Sequence, residues 1–86
     1  MDNMDMTMMF KSKKKSDKMT PQGVIAYVKE ALDEKGYNAL NQMVGYFISG
    51  DPTYITNHKD ARKIISEYER DELLEVIVKD YMERNF

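Results

Sequence analysis

The sequence predicts an all-α fold, a compact bundle of four main short helices plus one helical turn. Apolar residues recur at three- and four-residue spacing in four stretches, and glycine, proline and cap-type residues mark their ends. No strand pattern, internal repeat or long heptad run is present. The 86 residues form one domain, and without cysteine it has no disulfide to support a small core. Oligomerisation is the option that remains open for stabilising a core of this size.

The chain divides into a flexible tail rich in methionine and lysine, residues 1–19, and a helical domain, residues 20–86. The tail has no sustained helical period, so we predict that it is disordered. It holds six of the eight methionines and a lysine run at residues 13–15. The alternation of Met4, Met6 and Met8 with polar residues suits docking in a groove. The alternative is that these methionines have no partner.

The first helix begins at Thr20 and Pro21. Thr20 is a suitable N-cap, and proline is tolerated at the first helical position because its missing amide would have had no partner there. Lys35 and Gly36 mark the end of the helix. The predicted core face contains Val24, Ile25, Val28, Ala31 and Leu32.

The second helix is predicted at residues 39–49 and is the most apolar part of the chain. Asn38 is its expected N-cap, and Gly50 is the residue that can adopt a left-handed conformation after the last turn. We predict one buried face made of Leu40, Met43, Val44, Phe47 and Ile48. Gly45 weakens a helix interior, so we expect a close neighbour there; the alternative is a locally weak helix.

A helical turn and a third helix follow. Asp51 and Pro52 cap and begin the turn, which runs to about Ile55. Thr56 and Asn57 are again cap-type residues. The apolar face of the third helix is predicted to contain Ala61, Ile64, Ile65 and Tyr68.

The last helix is out of phase with the third. Continuing the spacing from Tyr68 would bury Asp71 or Glu72, so we predict a bend or a new start near residues 69–71. Asp71 and Glu72 then occupy a first turn, where the helix dipole favours negative charge. The alternative is one uninterrupted helix. The predicted core face contains Leu73, Leu74, Ile77, Val78 and Tyr81.

Catalysis has few candidate residues. The single histidine, His58, lies in a polar segment near Asp51 and Asp60 and is interpreted as an exposed surface residue. Metal sites and acid–base pairs need several converging groups. The glycines lack the spacing and the Lys-Ser/Thr pair of a phosphate loop. We predict no enzyme activity, no cofactor and no metal.

A small helix-turn-helix DNA-binding regulator is the main alternative. The lysine run, Arg62 and Arg70 favour it, and short helices joined by glycine turns suit it. Against it, residues 21–86 carry eight basic and twelve acidic residues, and residues 39–49 carry no charge. No apolar run approaches the roughly 20 residues that span a bilayer. The absence of cysteine fits a reducing cytoplasm.

Arg62 and Arg70 have two interpretations from the residues alone. They belong either to a solvated charged face with acidic neighbours three or four residues away, or to a docking face for a protein partner. A hydroxyl in a disordered tail suits a kinase cleft, and phosphate on Thr7 would add charge beside the lysines. Ser12 and Ser16 compete with Thr7 for this role, and Thr20 is expected to be occupied as a cap.

Several motifs resemble the IreB/ReoM family of small regulatory phosphoproteins of Gram-positive bacteria. They are Thr7-Met8-Met9-Phe10, Gly36-Tyr37-Asn38, Asn41-Gln42, Val44-Gly45-Tyr46, Ser49-Gly50-Asp51-Pro52, Asp60-Ala61-Arg62 and Tyr68-Glu69-Arg70-Asp71-Glu72. The tail motif matches the family's phosphorylated threonine, so the resemblance selects Thr7. It also favours a docking role for Arg62 and Arg70. The lysine run is not typical of the family, and Ala39 replaces its usual proline.

The resemblance implies a cytoplasmic, all-helical homodimer that is a substrate of a PASTA-type Ser/Thr kinase and its cognate phosphatase. It further implies regulation of peptidoglycan synthesis and of resistance to cell-wall antibiotics, in some lineages through an adaptor of ClpCP-dependent MurA degradation. The expected mechanism is that phosphate on Thr7 alters binding to a partner. A constitutive adaptor, for which Thr7 is dispensable, is the remaining alternative.

Overall fold

The computed structural model describes residues 19–86, and every regular element within them is helical. The helices are α1 (Pro21–Glu34), α2 (Ala39–Ser49), α3 (Ala61–Ile65) and α4 (Arg70–Asn85). A first 3₁₀ turn covers Pro52–Tyr54 and a second covers His58–Asp60. The all-α prediction with four helices is confirmed for this part of the chain, and the second 3₁₀ turn was not predicted. None of these helices is long and apolar enough to cross a membrane.

The predicted tail lies outside the described residues except for Met19, and the boundary between tail and domain stays a prediction. The side chain of Met19 packs against the core. Its carbonyl accepts a hydrogen bond of 2.6 Å from the Tyr68 hydroxyl. The chain therefore enters the described domain at a point fixed near the start of α4.

Helix α1 is the central element because it contacts each of the other three helices. The Thr20 hydroxyl caps it by accepting from the Gly23 amide at 3.0 Å, as predicted. At the other end the Tyr37 amide donates to the Leu32 carbonyl at 3.0 Å, a bond typical of a Schellman turn. The buried core contains Val24, Val28, Ala31, Leu32, Ala39, Tyr46, Ile55, Ala61, Ile65 and Leu73.

The predicted core face of α2 is only partly correct. Met43 and Phe47 pack against the core, but Leu40 is 71% exposed and Ile48 is 79% exposed. Val44 lies between them and is also exposed. Helix α2 instead buries Ala39 and Tyr46. An uncharged helix offers two apolar stripes, and spacing alone does not decide which one faces α1.

Gly45 has the close neighbour that the sequence predicted. A Cβ atom at this position would lie 2.5 Å from Cε1 of Tyr54, a separation that real Cβ atoms do not show. Tyr54 ends the first 3₁₀ turn, and its carbonyl accepts from Nε2 of Gln42 at 3.0 Å. Gly45 and Gln42 thus hold this turn against α2.

Helices α3 and α4 are separate, so the uninterrupted long helix is wrong. Helix α3 ends at Ile65, and Tyr68 lies in the connection. A capping box begins α4: the Glu69 amide donates to Oε1 of Glu72 at 2.9 Å, and the Glu69 side chain accepts from the Glu72 amide. The phase break in the sequence therefore marks a new helix start, as predicted.

The predicted core face of α4 is mostly wrong. Leu73 is fully buried and Ile77 is half-buried, whereas Leu74, Val78 and Tyr81 are exposed. Every residue from 78 to 86 is exposed. The second half of α4 extends beyond the elements that cover its first turns, so its apolar residues have no described neighbour to pack against.

Candidate partner-binding surface

Arg70 lies against the turn that follows α2. Its Nη1 donates to the Phe47 carbonyl at 2.9 Å, one of the last carbonyls of the helix. Gly50 caps α2 with φ of 75°, and a Cβ atom there would lie 2.8 Å from Cζ of Arg70. The backbone conformation therefore favours glycine, and a side chain there would also displace the guanidinium. A cation at a helix C-terminus is also favoured by the helix dipole.

Arg62 lies near the same turn, close enough for its charge to act on Asp51. It is half-buried, and its Nε donates to the Ile55 carbonyl at 2.9 Å. Asp51 accepts from the Thr53 hydroxyl at 2.7 Å and from the Thr53 amide at 2.9 Å. These hydrogen bonds lower the pKa of Asp51, and the nearby charge of Arg62 lowers it further. Arg62 and Arg70 thus come together around Gly50 and Asp51.

This placement changes the interpretation of both arginines. Within residues 19–86 neither guanidinium forms an ion pair with the acidic residues next to it in sequence; each binds a backbone carbonyl instead. A guanidinium has five N–H donors, so donors remain for an acidic partner. The binding of backbone carbonyls by the two arginines was not predicted, because the carbonyls lie seven and 23 residues away from them in sequence.

His58 belongs to a cluster at the C-terminal half of α1. We call it the Glu34 cluster, and it contains Tyr27, Glu34, His58 and Lys59. Nε2 of His58 lies 2.7 Å from Oε1 of Glu34, and Nζ of Lys59 lies 3.4 Å from Oε2. The Tyr27 hydroxyl donates to the Lys59 carbonyl at 2.8 Å. The expectation of an exposed surface histidine is corrected, because His58 is partly buried and paired across 24 residues.

The Glu34 cluster holds a strained segment. Lys59 and Asp60 both have positive φ, 57° and 61°, which costs non-glycine residues roughly 1–3 kcal/mol each. The hydrogen bond with His58 is the main reason that the pKa of Glu34 is lowered. These contacts have a structural explanation, and the described residues contain no group of three or more metal-ligating side chains. The cluster therefore holds the segment that leads into α3.

Two exposed apolar stripes remain on the surface. The α2 outer stripe contains Leu40, Val44 and Ile48, at four-residue spacing. The α4 outer stripe contains Leu74, Val78, Tyr81 and Met82, and Phe86 lies at its end with its ring 6.4 Å from that of Tyr81. Contiguous apolar patches of this kind mark interaction sites in soluble proteins.

The two arginines and the two stripes suit protein partners better than DNA. Helix α2 has no charged residue, and its exposed side is apolar. Nothing in residues 19–86 favours the DNA-binding alternative. Thr7, the predicted phosphoacceptor, lies outside the described residues.

Comparison with known proteins places these features in a family context. Residues 5–83 match the family model described as IreB, IreB regulatory phosphoprotein. The chain is also 53% identical over 79 residues to a UPF0297 protein of Ruminiclostridium cellulolyticum. The aligned region covers 92% of this chain and 89% of that relative.

Proposed function

The chain belongs to the IreB family of regulatory phosphoproteins, and from this premise we propose that it is a non-enzymatic regulator switched by phosphorylation of Thr7. The observation that carries the proposal is the extent of the match, residues 5–83, which includes the Thr7-Met8-Met9-Phe10 motif. Phosphate would add about −1.5 to −2 charges to a tail that holds five lysines. A change of that size alters any contact that depends on the tail's charge.

The proposal extends to the pathway that the family resemblance implies. The kinase is a membrane Ser/Thr kinase with PASTA repeats, and a cognate phosphatase reverses the mark. The regulated process is peptidoglycan synthesis, and with it resistance to cell-wall antibiotics, through an adaptor of ClpCP-dependent MurA degradation. The site of action is the cytoplasm.

Phosphosite mapping tests the switch. In protein purified from the native host, grown with and without a cell-wall antibiotic, we expect phosphate on Thr7 whose occupancy changes with treatment. Kinase treatment of purified Thr7→Ala protein should add no phosphate, while the Ser12→Ala and Ser16→Ala controls should be modified as the wild type is. An unmodified Thr7 under both conditions, in a well-covered peptide, contradicts the proposal and favours the constitutive adaptor.

For the partner, we propose a docking face around the Gly50–Asp51 turn, with Arg62 and Arg70 presenting their remaining donors to carboxylates. The planar guanidinium suits that recognition. A photo-crosslinking residue in place of Lys63, beside Arg62 on α3, should capture the partner in the host. The same residue in place of Lys29 on α1 is the control, and equal capture at both positions would argue against this face.

For the homodimer, we propose that the α4 outer stripe forms the interface. It lies on the part of the helix where residues 78–86 are all exposed, and an amphipathic helix gains most of its stability from packing on a neighbour. Sedimentation at micromolar concentration should give a dimer for the wild type and for Val44→Asp, and a monomer for Val78→Asp. A wild-type monomer would overturn the dimer, and dissociation by Val44→Asp alone would move the interface to α2.

A further inference from the structure

A groove runs between the start of α1 and one side of α4, next to the α4 outer stripe. It has a volume of about 450 Å³. Gln22 closes one side, and Glu72, Glu75, Val76 and Glu83 line the other. Ile25 and Ile77, both half-buried, line a neighbouring depression that shares Gln22 and Val76 with the groove. The groove is therefore mostly acidic, with Val76 as its apolar residue, and we call it the acidic groove.

The cations near the acidic groove do not neutralise it. Lys79 lies within it and forms no ion pair in the described part of the chain. Asp80 also lines it, but Arg84 holds that carboxylate in an ion pair at 3.0 Å. Without the neutral pair of Asp80 and Arg84, the groove has three carboxylates, those of Glu72, Glu75 and Glu83, and one lysine. The net charge of the groove is therefore −2. A groove with this charge balance favours a basic segment.

The tail reaches the domain beside this groove. Met19 is held by the Tyr68 hydroxyl, and it precedes Gln22 of the groove by three residues. From Glu72 to Glu83 the groove follows about 17 Å of α4, at about 1.5 Å of rise per residue. The eight residues 11–18 span at most about 26–29 Å when extended. They are long enough to follow the whole groove.

The tail also has the matching charge. Residues 11–18 contain five lysines and one aspartate, a net charge of +4. Long lysine stems cover apolar surface while their ammonium groups remain near the rim. We propose that residues 11–18 dock in the acidic groove of their own subunit, and that phosphate on Thr7 weakens this docking. The regulatory half rests on the proposed function, whereas the docking itself does not.

Charge gives the reason for the effect of phosphate. Residues 1–18 carry five lysines and three aspartates, a net charge of +2. Phosphate at Thr7 brings this value to about zero. The attraction between tail and groove falls accordingly, and the released tail leaves the acidic groove open while its phosphate becomes accessible.

Paramagnetic labelling of the full chain tests the docking. The chain has no cysteine, so Ser12→Cys accepts a single spin label among the lysines. We expect the amide signals of Gln22 and of residues 75–83 to be broadened far more than those of residues 40–48. At about 1 M salt, where the Debye length is about 3 Å, the difference should disappear.

Matched charge variants make the test specific. In the labelled chain, Glu75→Gln with Glu83→Gln should abolish the selective broadening. Asp33→Asn with Asp60→Asn removes the same two charges elsewhere and should preserve it. Equal broadening of α2 and α4 signals, or equal loss of broadening in both charge variants, would overturn the docking.

Docking between subunits is tested separately. A sample that mixes spin-labelled subunits with ¹⁵N subunits that carry no spin label shows broadening only if the tail of one subunit reaches the groove of another. Broadening found only in this mixed sample would overturn docking in the same subunit.

The effect of phosphate on docking is tested by a separate measurement. Phosphothreonine encoded at position 7 of the labelled chain should reduce the broadening of residues 75–83. Unchanged broadening would overturn the effect of phosphate on docking. Because the phosphate is installed without the kinase, an unmodified Thr7 in the host would refute the proposed function and leave this result standing.

Discussion

Replacing Leu73 with alanine is expected to lower the free energy of unfolding by about 3 kcal/mol, within the roughly 2–5 kcal/mol found for buried leucines. Leu73 is the fully buried residue of α4, and it connects that helix to the core on α1. A domain of this size is stable by roughly 3–10 kcal/mol. The substitution therefore removes a large part of the stability, and urea denaturation followed by circular dichroism measures it.

Leu40→Ala is the matched control, because it makes the same chemical change on a side chain that is 71% exposed. We expect it to cost less than about 0.5 kcal/mol, the usual range for surface positions. Both variants should be measured at several protein concentrations, since dimerisation would contribute to the apparent stability. Equal losses for Leu73→Ala and Leu40→Ala would show that α4 is not attached through Leu73.

Gly45→Ala is the second large effect, an expected loss of about 1–2 kcal/mol. A helix interior normally gains about 1 kcal/mol from this change. Here the new Cβ would lie 2.5 Å from Cε1 and 2.7 Å from Cδ1 of Tyr54, so the ring has to move. Overpacking of this kind costs roughly 1–3 kcal/mol. The bond from Gln42 to the Tyr54 carbonyl limits how far the turn can shift.

The sign of the effect should reverse when the ring is absent. In a Tyr54→Ala background we expect Gly45→Ala to stabilise the protein by up to about 1 kcal/mol, because only the helix propensity remains. The four proteins form a double-mutant cycle measured by the same urea titrations. A stabilising Gly45→Ala in the wild-type background would mean that relieving the close contact with Tyr54 costs less than the gain in helix propensity.

Helix ends were predictable from the sequence because their signals are local. Thr20, Asn38 and Asp51 all accept the backbone amide expected of a cap, and Gly50 has the expected left-handed conformation. The new start of α4 was predicted from a phase break and is confirmed by its capping box at Glu69. Each of these interactions joins residues within about one helical turn, so the residue types alone identify it.

The buried face of a helix was predictable only where other helices cover most of its surface. On α1 the predicted and buried faces agree because that helix is covered by all three others. On α2 the uncharged sequence allows two faces, and packing chose the one with Tyr46 over the one with Leu40. On α4 only Leu73 and Ile77 of the predicted face lie towards the core, and the other residues of that face are exposed.

The candidate site divides in the same way. The sequence by itself determined the family, the candidate phosphoacceptor Thr7 and the two arginines, because these depend on residue identity and order. Only the tertiary structure brought Arg62 and Arg70 to one turn, paired His58 with Glu34 and formed the acidic groove. Those contacts join residues seven to 61 positions apart, and their partners are chosen by the packing of whole helices instead of by local spacing.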